Sequence, residues 1–258
     1  MKKLQLKKLY IYISSFFIFL LHLPFVFAKS RPQDHNTLAD SKKDTLYANT
    51  LVSHLKGTLG SVAGNLYDSL HLNLLGLSHQ AFDYAVKGYN QLVMAGKLAN
   101  DKILSIVDFS EASNKKRLFV LDLNNNKLLY NTYVAHGRNS GKEFATHFSN
   151  APESLESSLG FYETAGTYNG DNGYSLRLEG LESGINDNAN KRAIVIHGAP
   201  YVSEEIARSK GYIGRSWGCP ALPQKLHKPI INKIKNGTCL FIFSPDKNYL
   251  NRSRVLNS

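Results

Sequence analysis

The chain has 258 residues and a mass of 28.8 kDa, enough for one or two domains with a hydrophobic core. Apolar residues make up 43% and charged residues 20% of the sequence, so the chain as a whole is not disordered. Two cysteines exclude a disulfide-rich scaffold and a four-cysteine zinc site. The formal net charge is +11, and it is +7 without the first 28 residues, which still favours anionic surroundings such as a cell-wall polymer or a membrane surface. The scattered positions of the basic residues argue against nucleic acid.

The N-terminus has the pattern of a secretory signal peptide. A lysine-rich start is followed by an almost wholly apolar stretch that ends at Phe27. Val26-Phe27-Ala28 places small residues where cleavage after Ala28 requires them. We therefore expect residues 1–28 to be removed, and the mature protein to lie in the periplasm or cell wall without stable membrane insertion. The alternative is an uncleaved anchor, because the apolar stretch approaches transmembrane length.

The next part of the chain changes from polar to helical in character. Residues 29–50 are polar and aperiodic, which predicts a flexible linker. Residues 51–100 are expected to form a helical N-terminal region. Its clearest helix runs from Ser78, a suitable N-cap, to about Lys97, because apolar residues recur there at spacings of three and four.

From residue 101 the hydrophobic pattern becomes typical of strands. Short apolar or alternating runs occur at residues 104–109, 117–123, 127–134, 175–181, 192–197 and 238–243. A short helix is predicted at 222–235. Residues 101–247 are therefore expected to form a mainly β catalytic domain with minor α content, and residues 248–258 a mobile C-terminal tail.

Two segments of this domain carry chemically reactive residues. A buried strand is expected to end at His197, and a glycine-containing loop then presents Cys219. A thiol needs a neighbouring imidazole to become a thiolate near neutral pH, so this pair is suited to nucleophilic catalysis. Gly218 lets a substrate approach the backbone, and N–H groups around Cys219 can face an oxyanion. Residue type alone leaves a structural role open, because a lone cysteine is more often a small buried hydrophobe.

The combination of His197-Gly198 with Ser216-Trp217-Gly218-Cys219 resembles the signature of the L,D-transpeptidase catalytic domain, the YkuD-like family. Further similar blocks lie at residues 135–137, 157–162, 176–178, 186–188, 194–201 and 214–222. The resemblance implies a β-sandwich-like fold and a cysteine acyl-enzyme formed on peptidoglycan stem peptides. It assigns Cys219 as the nucleophile and His197 as its proton acceptor. It also implies that Gly218 lies in the oxyanion turn and that Ser216 supports either the histidine or the loop.

The sequence departs from the better-known branch of that family, which has Ser-His-Gly-Cys followed shortly by Arg or Asn. Trp217 replaces the second histidine, and Pro-Ala-Leu follows Cys219. The third catalytic partner therefore stays open. Arg215 is a candidate to replace the missing arginine in holding the donor carboxylate.

Further residues each have a functional and a structural interpretation. His136 either lines the cleft or ends a strand, and Tyr201 either walls the substrate groove or packs. Arg177 either binds a stem-peptide carboxylate or faces solvent. With Arg215 and Trp217, these three complete the set of candidate substrate-binding residues.

Two other features are expected to be structural. Cys239 lies in an alternating strand and is expected to be a buried core thiol, although a disulfide with Cys219 is the alternative outside the cytoplasm. Residues 186–188, Asn-Asp-Asn, resemble half a calcium loop but lack its closing glutamate, so a turn is expected.

These observations predict a secreted, monomeric L,D-transpeptidase that acts on peptidoglycan stem peptides, forming cross-links or exchanging the terminal residue. The alternative enzyme is an L,D-carboxypeptidase or amidase with the same cysteine and histidine. The non-enzymatic alternative is a cell-wall-binding module with a structural cysteine. No metal-binding or phosphate-binding motif is present in the sequence, so neither a metal nor a cofactor is expected.

Overall fold

The computed structural model describes residues 66–258, so the predicted signal peptide and linker lie outside the described residues. After a helical turn at residues 66–69, helix α1 (His79–Met94) begins where the sequence predicted. The side chain of Ser78 caps it by accepting a hydrogen bond from the N–H of Ala81 at 3.2 Å. The helix packs against strands at the centre of the sheet through its buried face, formed by Ala81, Phe82, Ala85, Gly88 and Leu92.

Strands dominate the remainder of the described chain. They are β1 (Ile103–Asp108), β2 (Leu118–Asp122), β3 (Lys127–Thr132), β4 (Gly160–Gly170), β5 (Gly173–Gly180), β6 (Val195–Ala199), β7 (Ala221–Pro223) and β8 (Cys239–Phe243). Three short helices accompany them: α2 (Glu204–Lys210), α3 (His227–Ile234) and α4 (Lys247–Arg252). The predicted mainly β class with minor α content is confirmed. None of the helices within residues 66–258 is long and apolar enough to cross a membrane.

The eight strands form one sheet in the order β3-β2-β1-β8-β4-β5-β6-β7. Neighbours are antiparallel except for the pairs β1–β8 and β6–β7, which are parallel. Beyond the end of edge strand β3, Ala135 pairs with Ala221 of β7, the other edge strand, and Gly137 pairs with Ser216. The expected sandwich-like domain is therefore a single sheet that curls on itself into a barrel-like shape.

The core is centred on strands whose residues are all buried. Every residue of β1, β2 and β8 is buried, which explains why their sequences are short continuous apolar runs. Phe161 of β4 stacks on Phe241 of β8 with ring centroids 4.2 Å apart. Cys239 begins β8 with no exposed surface, so its predicted place in the core is confirmed. Both cysteines are free, and the alternative disulfide is not formed.

The expectation of a mobile tail is wrong. Residues after Pro245 form α4, which is capped by the Asp246 carboxylate accepting from the N–H of Tyr249 at 2.7 Å. Tyr249 is buried, and its hydroxyl donates to the carboxylate of Glu182 at 3.1 Å, while Ser253 donates to the same carboxylate. The anchor is thus a residue distant in sequence, which the composition of the tail does not reveal.

Candidate active site

His197 lies on β6, and Cys219 lies on the turn that leads into β7, the neighbouring parallel strand at the edge of the sheet. His197 of β6 is paired with Ala221 of β7, and Cys219 precedes Ala221 by two residues. The Cys219 Sγ accepts a hydrogen bond from the N–H of Val195 at 3.4 Å and donates to the carbonyl of Ala193 at 3.7 Å. Strand pairing therefore brings Cys219 beside β6, offset from His197 by two residues along the strand.

The turn that presents Cys219, residues 216–219, is held in shape by the hydroxyl of Ser216. We call it the nucleophile turn. Ser216 Oγ donates to the carbonyl of Cys219 at 2.6 Å and accepts from the N–H of Gly218 at 3.1 Å. Gly218 has φ +123°, and a Cβ there would lie 2.8 Å from the carbonyl oxygen of Glu156 and 3.0 Å from Cδ1 of Ile194. Ser216 therefore supports the turn, with no bond to the histidine, and only glycine fits at position 218.

The same bonds determine which backbone groups of the turn can bind an oxyanion. The N–H of Gly218 is already donated to Ser216. The N–H groups of Trp217 and Cys219 have no acceptor among residues 66–258. The N–H groups of Trp217 and Cys219 are thus available to an acceptor, while Gly218 contributes its backbone conformation.

His197 is held in a single orientation by its own backbone. Its side chain is buried, and Nδ1–H donates to the carbonyl of Gly198 at 3.0 Å. This bond leaves Nε2 as the ring nitrogen with a free lone pair, which is what a proton acceptor needs. Among residues 66–258, the carbonyl of Gly198 is the hydrogen-bond partner that orients the imidazole of His197.

A second histidine close to this site was missed by the sequence analysis. His227, the first residue of α3, is buried, and its Nδ1–H donates to the carbonyl of Gln224 at 2.8 Å. A Cβ on Gly198 would lie 2.5 Å from Nδ1 of His227, so the glycine after His197 makes room for this ring. Nothing in the local sequence around His227 signals this contact, because a helix from later in the chain brings it there.

The protonation states differ from the sequence-based expectation of a ready-made thiolate. Burial raises the pKa of the Cys219 thiol; the N–H of Val195 and the charge of Arg192 oppose this only in part. Burial also lowers the pKa of His197, and the neighbouring His227 adds to the effect, while the bond to Gly198 opposes it. Both directions favour a neutral thiol beside a neutral imidazole in the resting protein.

His136 lies behind the nucleophile turn rather than in an open cleft. It has no exposed surface; its Nδ1 accepts from Arg117 Nη2 at 2.7 Å, and its Nε2–H donates to the carbonyl of Gly141 at 3.2 Å. Its own carbonyl accepts from the N–H of Ser216 at 2.9 Å. Burial and the charge of Arg117 lower the pKa of His136 to about 3. These contacts favour the structural interpretation of this residue.

The other candidate substrate-binding residues fall into two groups. Trp217 is 74% exposed beside the nucleophile, and Arg215 Nη1 donates to the carbonyls of Arg138 and Gly141, each at 3.0 Å. Tyr201 is half-buried, and burial together with Cys219 raises its pKa to about 12. These three lie on or next to the nucleophile turn.

Arg177 makes no hydrogen bond with the nucleophile turn. It is exposed, and its guanidinium carbon lies 4.2 Å from the ring centroid of Tyr168 across the β4–β5 pair. This placement favours the solvent-facing interpretation of Arg177.

Comparison with known proteins identifies the family. The family model of the L,D-transpeptidase catalytic domain, YkuD_2, matches residues 74–243. The chain belongs to this family. No curated protein has significant sequence similarity to the chain.

The solved structures that match this chain are distant from it in sequence. An L,D-transpeptidase from Mycobacterium smegmatis is 12% identical with a TM-score of 0.34, over 55% of this chain and 59% of that one. A variant of the helical cell shape determining protein Pgp2 from Campylobacter jejuni is 14% identical with a TM-score of 0.39, over 62% and 57%. The L,D-transpeptidase (Yku) from Stackebrandtia nassauensis is 14% identical with a TM-score of 0.34, over 64% and 68%. The chain thus spans about six tenths of the first of these proteins.

The L,D-transpeptidase domain also contains a charged residue near Cys219 that is not among the candidates from the sequence. Arg192 lies just before β6, and its Nη2 would be 3.4 Å from a Cβ on Gly218. The sequence feature that could have pointed to Arg192 is its position directly before the apolar run that forms β6. Within the described part of the chain, no three His, Cys, Asp or Glu side chains cluster as a metal site.

Proposed function

We propose that the protein is a secreted cysteine L,D-transpeptidase that acts on peptidoglycan stem peptides through a thioester acyl-enzyme. The observation that carries the proposal is the pairing of β6 with β7. It places the thiol of Cys219, on a turn with a free backbone N–H, beside the strand of His197, whose Nε2 lone pair is free. Membership of the L,D-transpeptidase catalytic domain family supports an enzyme over a wall-binding module.

The first half of the reaction forms the thioester. The Cys219 thiol gives its proton to Nε2 of His197 while Sγ attacks the carbonyl carbon of the stem peptide, and the N–H of Cys219 stabilises the oxyanion. The C–N bond to the terminal D-amino acid then breaks, and its nitrogen takes the proton from His197. A neutral Cys219 thiol and a neutral His197 imidazole suit this order of steps, because the base must be unprotonated when substrate arrives.

The second half transfers the acyl group to an amine. The acceptor nitrogen attacks the thioester carbon and gives its proton to His197, and the C–S bond breaks as the new C–N bond forms. The released thiolate takes the proton back from the imidazolium, which restores the resting pair. Water in place of the amine would give a carboxylic acid and a shortened peptide.

Two exposed residues at the mouth of the site suit this class of substrate. Trp217 presents an exposed indole next to the nucleophile, on which a peptide or sugar can pack. The two bonds of Arg215 Nη1 fix its guanidinium, while Nη2 and Nε have no acceptor among residues 66–258. That free edge is suited to a carboxylate of the donor stem peptide.

The test is muropeptide analysis of reactions between purified mature protein and a disaccharide-tetrapeptide. Water is present at about 55 M, so an amine at millimolar concentration competes only if the site holds it near the thioester. We expect tripeptide together with cross-linked dimer, with the dimer fraction rising as the substrate concentration rises. Cys219→Ala should form neither product, and Cys239→Ala is the matched thiol control.

The alternative activities give different results in the same assay. Tripeptide without dimer at every substrate concentration, on both soluble muropeptides and intact sacculi, would assign the protein as an L,D-carboxypeptidase. Binding to sacculi without any product would support a wall-binding module. N-terminal sequencing of the protein recovered from the producing cell tests the proposed cleavage after Ala28.

A further inference from the structure

Arg192 ties together a stretch of loop that is separate from its own strand. Its Nη1 donates to the carbonyl of Ser149 at 2.7 Å and to the hydroxyl of Ser158 at 2.6 Å. Its Nη2 donates to the hydroxyl of Ser154 at 3.0 Å and to the carbonyl of Glu156 at 2.7 Å. All four Nη hydrogens are therefore used, and every acceptor belongs to residues 149–158, which we call the wall segment.

The wall segment forms one side of the nucleophile turn. Ser157 Oγ donates to the carbonyl of Gly218 at 3.0 Å and accepts from the N–H of Gly137 at 3.1 Å. The carbonyl oxygen of Glu156 lies 2.8 Å from the position of a Cβ on Gly218. A shift of the wall segment would therefore move the backbone that carries Cys219.

The backbone of the wall segment is strained. Glu153 and Leu155 both have φ +57°, a region that L-residues with a side chain rarely occupy. Ala193, next to Arg192, has φ +53°, and its carbonyl accepts the hydrogen bond from the Cys219 thiol. Such conformations persist only where surrounding contacts impose them, and they concentrate at functional sites.

The Asn-Asp-Asn turn, which the sequence analysis treated as purely structural, holds the other end of the wall segment. Asn150 Nδ2 donates to the carboxylate of Asp187 at 2.7 Å. Asn188 donates to Asn150 twice, from its N–H and from its side chain, each at 3.1 Å. The N–H of Arg192 donates to the carbonyl of Asn188 at 2.8 Å, so the turn also holds the backbone of Arg192 in place.

We propose that Arg192 is a positioning residue of the reaction: it holds the wall segment against the nucleophile turn and places a positive charge next to Cys219. The inference rests on the proposed function of Cys219 as nucleophile. Lysine cannot replace arginine in this role, because one ammonium cannot span four acceptors arranged around a planar fork. The charge alone would survive that replacement.

The electrostatic part of the role follows from the groups around the thiol. The charge of Arg192, just before β6, acts on Cys219, and Tyr201, after β6, lies close enough to be affected by it, while Glu156 of the wall segment faces Arg192. The positive charge of Arg192 lowers the pKa of the Cys219 thiol, against the larger opposite effect of burial. Loss of the charge should therefore make the thiolate harder to form.

The experiment compares Arg192→Lys and Arg192→Met with Arg208→Met. Among residues 66–258, Arg208 forms an exposed ion pair with Glu204 on α2 and no other, so its replacement removes the same charged group at a position outside the site. For each variant, kcat and KM are measured on the tetrapeptide, and the pH dependence of iodoacetamide alkylation is measured at Cys219. Near-ultraviolet circular dichroism and thermal melting verify folding. If Arg192→Met does not fold, Arg192→Lys and Ser154→Ala, which removes one acceptor, provide the test.

We expect both Arg192 variants to lose about tenfold or more in kcat with little change in KM, because the nucleophile is misplaced while substrate contacts remain. Arg192→Met should also shift alkylation to higher pH, and Arg192→Lys should shift it less. Ser154→Ala should lower kcat less than Arg192→Lys does. Values of kcat and an alkylation profile equal to those of Arg208→Met would overturn the inference, and so would an effect on KM alone.

Failure of the proposed function has a separate signature. Alkylation reports on the thiol itself and needs no turnover, so the influence of Arg192 on Cys219 is measured even in a protein without transpeptidase activity. Product formation by Cys219→Ala would remove the proposed function. A wild-type rate with altered thiol reactivity in the Arg192 variants would leave that function standing and refute the positioning role.

Discussion

The thiol of Cys219 lies 3.4 Å from the backbone N–H of Val195, two residues before His197 on β6. The hydrogen bond to Sγ favours the thiolate, but burial disfavours it more strongly. Burial likewise lowers the pKa of His197 and so disfavours the charged imidazolium. Both directions favour a neutral thiol at Cys219 and a neutral imidazole at His197.

The pH dependence of Cys219 alkylation follows from these two directions. A raised thiol pKa should place the rise in the iodoacetamide rate above the pH found for an unperturbed cysteine, whose pKa is about 8.5. His197→Ala should abolish turnover and leave the alkylation profile close to that of the wild type. Rapid alkylation at pH 6–7 that disappears in His197→Ala would instead demonstrate a thiolate–imidazolium pair.

Removal of the Cys219 thiol should affect activity, whereas removal of the Cys239 thiol should affect stability. Cys219→Ala should abolish product formation with the fold intact, because the nucleophile is lost. Cys239→Ala should keep activity and lose about 1 kcal/mol of unfolding free energy, because it leaves a small cavity in the core at β8. Muropeptide analysis and denaturant unfolding measure the two effects. Loss of activity in a folded Cys239→Ala protein would contradict this division.

Gly218→Ala should inactivate the enzyme by displacing the nucleophile turn. The added Cβ meets the carbonyl of Glu156 at 2.8 Å, and φ +123° strains any L-residue. A displacement of about 1 Å can reduce the rate about 100-fold. Gly211→Ala is the matched control: its φ is +76°, but nothing lies within 4 Å of the new Cβ, so it should cost stability alone. Equal kcat values for the two variants would disprove the steric argument.

His136 should make the fold sensitive to acid. Its pKa is about 3 in the folded protein and about 6.5 when unfolded, so between these values the unfolded chain binds the extra proton. Its contribution to stability is therefore complete above pH 6.5 and is lost as the pH falls, at up to about 1.4 kcal/mol per pH unit.

His136→Gln should flatten this part of the stability curve measured by denaturant unfolding between pH 4 and 7. The burial-raised pKa of Glu182 acts in the opposite direction, but it is common to wild type and variant and cancels in their difference. The exposed His147, replaced in the same way, is the control. Parallel curves for wild type and His136→Gln would show that folding does not lower the pKa of His136.

Local sequence features determined the class of the fold and the family, and they supplied the candidate reactive residues. The capped helix after Ser78, the change to short apolar runs and the burial of Cys239 all follow from periodicity and propensity, and the structure confirms each of them. The reactive pair was visible because His-Gly and Ser-x-Gly-Cys are contiguous motifs. Their family resemblance is confirmed by the match over residues 74–243.

The contacts that adjust the site were decided only by the tertiary structure. His227 reaches Gly198, Arg192 binds the wall segment, and Glu182 anchors the C-terminal helix across long sequence separations. No periodic pattern encodes such pairings, because each depends on where a curled sheet places a distant loop or helix. Burial by that same packing raises the pKa of Cys219 and lowers that of His197, so the protonation state of the pair is a property of the fold rather than of the motif.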